Sequence, residues 1–273
     1  MMNYSVLMSV YHKEKPEFLR QSIESMFAQT VPTNDFVLVC DGPLNSELDA
    51  VIEEMQQRMN GVLHVVRLEE NVGLGRALQA GILECKNDIV ARMDSDDISR
   101  PERCEKELSF LLAHPEISVV GGWIEEFETT LDEVKNKRVV PEDSEAIVAF
   151  SKTRNPFNHP SVMYRKDAVL GAGNYQNVRF MQDYYLWIHM LIKGYKGWNL
   201  QEPLVWMRAD SNLFKRRSGK LYREIQIQLF KEMLDANYIT FPQYCKSVSI
   251  RVGSSMAPNW ARAFIFKRLL RKK

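Results

Sequence analysis

Three carboxylates crowd together in Asp94-Ser95-Asp96-Asp97, directly after the apolar run Ile89, Val90, Ala91 and Met93. That run has the composition of a buried strand. Carboxylates this close repel one another unless a cation or a hydrogen-bond donor stands between them. Hard divalent cations take carboxylate oxygens, and magnesium commonly binds through one or two carboxylates plus substrate phosphates. An Asp-x-Asp at a strand end therefore suits a metal–diphosphate site. Spacing alone leaves a second reading open, a solvated turn with a helix cap at Ser99–Pro101.

Other stretches carry usable polar groups. Asn71-Val72-Gly73-Leu74-Gly75-Arg76 puts glycines ahead of a helical pattern. Glycines allow close backbone approach, and a helix N-terminus attracts phosphate. The stretch is neither a full G-x-G-x-x-G nor a Walker A loop, and alone it reads as a tight turn with a surface arginine. Asp183 opens the aromatic run Tyr184-Tyr185-Leu186-Trp187. A carboxylate beside an aromatic wall is partly desolvated, which raises its proton affinity and suits a general base; taken locally, a cap or charge at a helix start is the favoured reading. His159 precedes Pro160 and should be extended, able to present its ring to a crevice. His159 and Trp187 are candidate acceptor contacts, although a histidine so placed is more often structural.

The elements that must position these groups alternate. Strand patterns cover 4–10, 35–42 and 63–69, and a fourth runs into Asp94. Helical patterns follow the first three: Phe18, Leu19, Ile23, Met26 and Phe27 after Pro16, then 45–59 with Ser46 as a plausible cap, then 73–86. This rhythm predicts an α/β fold with a parallel sheet and helices on both faces. Such sheets bind ligands beyond the carboxyl ends of their strands, so Asp41 and Asp94–Asp97 should face one crevice. Beyond Pro101 the patterns predict a helix at 101–115, a strand at 117–127, a polar stretch of mobile character at 128–145, a short strand at 160–165, an apolar helix at 181–194 and a strand at 202–208. The chain then turns basic and becomes helical to about Ala236.

Bulk properties narrow the classes. The 273 residues suffice for one large domain, or one domain plus an extension. The formal net charge of +1 gives no global field for nucleic acid. Cys40, Cys85, Cys104 and Cys245 form no C-x-x-C pair, which argues against a zinc site or disulfide framework and for a reduced, cytoplasmic setting. No apolar run approaches the ~20 residues that span a bilayer, and the N-terminus lacks a signal-peptide pattern. An aspartyl-nucleophile phosphatase is disfavoured, because its Asp-x-Asp follows a first strand and continues into Gly-Thr/Val. A sugar-phosphate nucleotidylyltransferase lacks support around residues 10–16, where its glycine-rich loop would lie. A non-catalytic nucleotide-binding protein is the remaining alternative.

Taken in order, SVLMSVYHKEKPEFLRQSIESMFAQT, FVLVCDGP, NVGLGRALQAGI, IVARMDSDDISRPERCEKEL and GAGNYQNVRFMQDYYLWIHM resemble the inverting GT-A glycosyltransferases of family 2 over about residues 1–210. Within that family the chain looks most like bacterial enzymes that build O-antigen and capsule repeats on a lipid carrier. The resemblance implies a mixed sheet flanked by helices, with a C-terminal helical extension. It implies that Ser9–Tyr11 form the first donor loop, that Asp41 recognises uracil, and that Arg76 lies near the nucleotide or diphosphate. Asp94 and the adjoining Ser95 would meet the donor, Asp94 as a ribose or metal-shell carboxylate. Asp96 would be the direct ligand of Mn2+ or Mg2+, and Asp183 the base. Gln182 stands where the family usually has glutamate. No QxxRW motif follows, so one sugar per encounter is implied. The implied reaction moves a hexose, galactose or glucose, from a UDP-sugar to a sugar on undecaprenyl diphosphate with a β-linkage.

The resemblance divides the chain into a catalytic domain at 1–215, with a nucleotide-sugar half to about 100 and an acceptor half beyond it, and an extension at 216–273. Arg216 and Arg217 in the basic stretch 214–219 are candidate phosphate contacts, or plain surface charge. In the tail 257–273, Trp260, Phe264, Ile265 and Leu269 accompany a cluster of cations. That suits an amphipathic helix on an anionic membrane, at the inner face of the cell membrane; an ordinary docked helix is the competing reading.

Overall fold

The protein is described from a computed structural model that places residues 3–128, 130–131, 133–209 and 219–256. Its centre is a nine-stranded mixed sheet. Strands β1 (Ser5–Val10), β2 (Asp35–Cys40), β3 (Leu63–Arg67) and β4 (Ile89–Asp94) are parallel, and lie in the order β3-β2-β1-β4. They alternate with helices α1 (Pro16–Phe27), α2 (Ser46–Arg58) and α3 (Leu74–Glu84). Beyond β4 the sheet becomes mixed. The antiparallel β8 (Met163–Arg165) joins β4 to β6 (Ile117–Phe127), and β6 runs parallel to the long β9 (Lys196–Arg208). Strands β1, β2 and β4 are buried on both faces, so they read as nearly continuous apolar runs. Val6, Met8 and Val10 pack with Leu19, Ile23, Leu48 and Ile52 on one face; Leu7, Val37 and Val39 pack with Ala77, Leu78 and Ile82 on the other.

Several local expectations change. The polar stretch at 128–145 contains β7 (Val134–Arg138), antiparallel to β6, and the start of α5 (Ser144–Ser151), capped by Asp143. Helix α2 is capped by Asn45, whose Oδ1 accepts from the Leu48 N–H at 2.9 Å, so Ser46 is the first helical residue. Ile98–Ser99 form a short strand, β5, on β9 instead of capping α4 (Arg103–Ala113). The strand at 202–208 is the end of β9, which begins at Lys196.

Helix α4 carries a fully buried ion pair. Arg103 Nε donates to Glu107 at 2.9 Å, while Nη2 donates to the Arg92 carbonyl at 2.7 Å and the Val162 carbonyl at 3.1 Å. One cation thus supports the edge where β4 meets the segment before β8. Helix α6 (Lys166–Gly171) leads towards α7 (Gln182–Ile192). Helix α8 (Lys220–Asp235) packs on α7 through Leu229, Phe230 and Met233 against Tyr184, Tyr185 and Ile188, and α9 (Phe241–Met256) follows. Among the described residues no helix is long and apolar enough to cross a membrane. The expected boundary at 215/216, Arg216, Arg217 and the tail 257–273 lie outside the described residues.

Candidate active site

The chain leaves β1 for β2 on one side and returns to β4 on the other. In sheets of this kind the crevice beyond the carboxyl ends of such a divergent pair binds ligands. Ser9 on β1 is paired in register with Asp94 on β4. The following loops are stitched together: the Ser95 hydroxyl donates to Glu14 at 2.6 Å, and the Ser22 hydroxyl on α1 donates to the Asp94 carbonyl at 2.5 Å. Tyr11 is exposed at the rim of this region.

Asp94, Asp96 and Asp97 bring carboxylate oxygens within 4.8 Å of one another. Burial, with Asp94 and Glu14 adding repulsion, pushes Asp96 up to about 7. Burial, then Asp96 and Asp94, hold Asp97 well above the usual carboxylate range. A cluster whose charge is this poorly compensated suits a hard divalent cation. Asp94, Asp96 and Asp97 would hold it. Two groups offset part of the charge: the buried Arg92 guanidinium donates to the Asp94 carboxylate, and the Arg208 N–H donates to Asp97 at 2.8 Å. Arg92 is legible in retrospect. Val90, Arg92 and Asp94 share one face of β4 by alternation, and an arginine inside a buried strand breaks the apolar pattern.

On the other side of β1, Asp41 directly follows β2 and is 4 % exposed. Its two oxygens accept from the Val72 N–H at 2.7 Å and the Gly73 N–H at 3.1 Å, and the Asn71 side chain donates to its carbonyl at 3.0 Å. Asp41 therefore braces the loop that opens α3. Gly42 follows with φ +83°, and a Cβ there would lie 2.6 Å from the Asn71 nitrogen, so only glycine fits the turn. Arg76 is exposed and, with the Asn177 amide oriented to accept, meets Asn177 at 3.1 and 3.2 Å.

The segment 174–182 lies over the start of α3. A Cβ on Gly75 would stand 2.5 Å from the Gln176 carbonyl oxygen and 3.4 Å from the Gln182 Cβ. Met181 then adopts a left-handed conformation, φ 63° and ψ 24°, and hands the chain to α7. A methionine there is uncommon, and such conformations persist where the surroundings impose them. Asp183 sits in the first turn of α7, half-buried, and accepts from the Asn155 side-chain amide at 2.5 Å. Burial pushes the Tyr175 hydroxyl up, Asp183 and Asp94 push the same way, and Arg92 opposes them.

Two expected contacts face inward. Trp187 has no accessible surface and packs against Phe157, His159 and Tyr164. His159 is in a 3-10 turn, not an extended segment; it is buried, and its Nε2 meets the Tyr175 hydroxyl at 3.0 Å. Burial, with Arg92 nearby, holds it well below the usual histidine range, so it is neutral. Neither side chain offers acceptor-binding surface, because the turn and α7 turn both into the core. Glu14, Asn155 and Arg208 were not singled out from sequence; nothing in their local spacing marks them.

The glycosyl transferase family 2 profile matches residues 5–171. The chain belongs to glycosyl transferase family 2. It is a glycosyltransferase with the GT-A fold, and its mixed sheet and flanking helices match that fold. The amylovoran biosynthesis glycosyltransferase AmsE of Erwinia amylovora is 38% identical over 267 residues, covering 97% of this chain and 98% of that one. The UDP-Gal:alpha-D-GlcNAc-diphosphoundecaprenol beta-1,3-galactosyltransferase of Escherichia coli is 35% identical over 269 residues, covering 98% and 97%. The S. aureus TarS 1–349 structure in complex with UDP-GlcNAc superposes with a TM-score of 0.68 at 17% identity, over 98% of this chain and 77% of that one.

Proposed function

We propose that this family 2 enzyme transfers a hexose, galactose or glucose, from a UDP-sugar to a sugar carried on a polyprenyl diphosphate, inverting the anomeric centre. The reading rests on one observation: Asp94, Asp96 and Asp97 bring their carboxylate oxygens within 4.8 Å of one another where β4 ends. Asp94, Asp96 and Asp97 would hold a divalent cation, Mn2+ or Mg2+, which supplies positive charge for a leaving diphosphate. Ser9, Tyr11, Asp41, Arg76 and Ser95 border the donor side. Asp183 takes the proton of the acceptor hydroxyl. The freed oxygen forms a bond to the anomeric carbon as the bond from that carbon to the phosphate oxygen breaks, and UDP departs with the electron pair. Attack from the opposite face turns an α-linked donor into a β-glycoside.

The full-length likeness to an enzyme named for a UDP-Gal donor and a GlcNAc-diphosphoundecaprenol acceptor supports that choice of substrates. A lipid-linked acceptor requires work at a membrane surface. From Ala236 to Lys273 the chain holds eight Lys and Arg residues and no Asp or Glu, a charge that suits anionic headgroups. Peripheral attachment of a cytoplasmic enzyme through this stretch is part of the proposal; flotation on anionic vesicles, lost on truncation at Ser255, tests it. The activity test offers UDP-galactose, UDP-glucose and GDP-mannose with Mn2+ to an alkyl-diphosphate-linked N-acetylglucosamine. Transfer from one UDP-hexose with a β-product by NMR supports the reading. Transfer from GDP-mannose alone, or an α-product, overturns it.

A further inference from the structure

Asp183 has a side-chain neighbour from a distant part of the chain. The Asn155 Nδ2 donates to Asp183 Oδ2 at 2.5 Å, and the Asn155 Oδ1 accepts from the Phe157 N–H at 3.2 Å. The second bond settles which amide atom is which: Oδ1 is taken up by a backbone donor, so the NH2 group faces the carboxylate. The loop carrying Asn155 is held from two strands. Arg138 on β7 donates to the Asn155 carbonyl at 2.8 Å, and the Asn199 amide on β9 donates to the Pro156 carbonyl at 3.2 Å. The amide is thus fixed to the sheet, while Asp183 stands on a helix that begins from a left-handed residue.

We propose that Asn155 is a positioning residue for the base. This rests on Asp183 being the base. Asn155 engages Oδ2 and sets the carboxylate plane, which leaves Oδ1 to receive the acceptor proton. A neutral donor does this without adding a charge that would suppress basicity. Among the described residues, Asp183 adds to the upward push on the buried Tyr175 and Tyr184. Burial is the main cause in both, so the two phenols stay neutral near neutral pH.

The test compares Asn155→Ala, Asn155→Asp and Asp183→Asn in steady-state transfer from UDP-galactose with Mn2+, alongside UDP affinity. Asn155→Ala should lower kcat by about tenfold with UDP affinity unchanged, because orientation matters in the transition state and not in donor binding. Asn155→Asp sets two carboxylates to share a proton, so its activity should be low at neutral pH and recover on the alkaline limb. UDP binding at wild-type strength certifies that each variant is folded. Wild-type kcat in Asn155→Ala, or an Asn155→Asp deficit equal at every pH, overturns the positioning role while Asp183→Asn remains inactive. An active Asp183→Asn overturns the base reading instead.

Discussion

The Asp97 carboxylate accepts a hydrogen bond from the Arg208 main-chain N–H at 2.8 Å, tying the acidic loop to the last residue of β9. Arg208 returns the contact: its Nε donates to the Asp96 carbonyl at 3.1 Å, and its guanidinium lies 3.7 Å over the Phe18 ring. Asp97 therefore has a structural bond and a place in the carboxylate cluster at once. Asp97→Asn keeps an acceptor for Arg208 and removes the charge. It should melt within a few degrees of wild type and weaken Mn2+-dependent UDP binding by roughly tenfold. Asp97→Ala leaves a buried N–H unpaired, which costs about 1–3 kcal/mol. Thermal melts and UDP titrations of the pair separate the two roles.

Asp96 gives the metal-free protein a pH dependence with a definite sign. Burial first, then Asp94 and Glu14, hold it at about 7, against ~3.9 for an aspartate in an unfolded chain. Between these values the folded state binds more protons than the unfolded one, so stability from this group falls as pH rises through the window. In EDTA, Asp96→Asn should melt higher than wild type at pH 8, by a margin that narrows as the pH is lowered towards 5 and closes only near pH 4. Addition of Mn2+ at pH 8 should raise the wild-type melting temperature and leave the variant unmoved. A gap of equal size at both pH values contradicts the assignment.

Gly75 links the donor-side loop to the segment carrying Asp183. Its missing side chain makes room for the Gln176 carbonyl, which a Cβ would approach to 2.5 Å. Gly75→Ala must displace backbone, and overpacking of this kind costs about 1–3 kcal/mol. Transfer rate should fall further than UDP affinity, because the displaced segment leads into Asp183. Parallel urea melts and kinetics check both effects.

The Arg103–Glu107 pair supports the site from inside the core. Removal of one member strands the other, and breaking a buried pair costs about 3–5 kcal/mol. Arg103→Met should show such a loss in urea. Arg103→Met/Glu107→Leu should recover part of it, short of wild type, since the Arg92 and Val162 carbonyls both lose the bond from Arg103, although Val162 keeps the one from the Arg92 N–H.

What the sequence made legible follows from local physics. The parallel βα half was readable because its strands are buried on both faces and its helices keep their 3.6-residue apolar spacing, and Asp94 and Asp96 fall at a strand end by counting alone. The stretch at 128–145 was misread because β7, Val-Lys-Asn-Lys-Arg, is polar and half-exposed; it is a strand through pairing with β6, which no local pattern announces. His159 and Trp187 drew attention as polar or amphipathic groups near the motif, yet tertiary packing turns them inward. Asn155 lies 28 residues from Asp183 and carries no periodicity, so only the fold brings the two together.

The most direct test of the account is turnover by Asp183→Asn set beside its affinity for UDP in Mn2+. Loss of a general base should lower kcat by roughly 10³-fold, with the UDP dissociation constant within about twofold of wild type, since Asp183 bears on the acceptor and not on the nucleotide. Near-wild-type turnover by this variant, with UDP binding intact, would contradict the account at its centre.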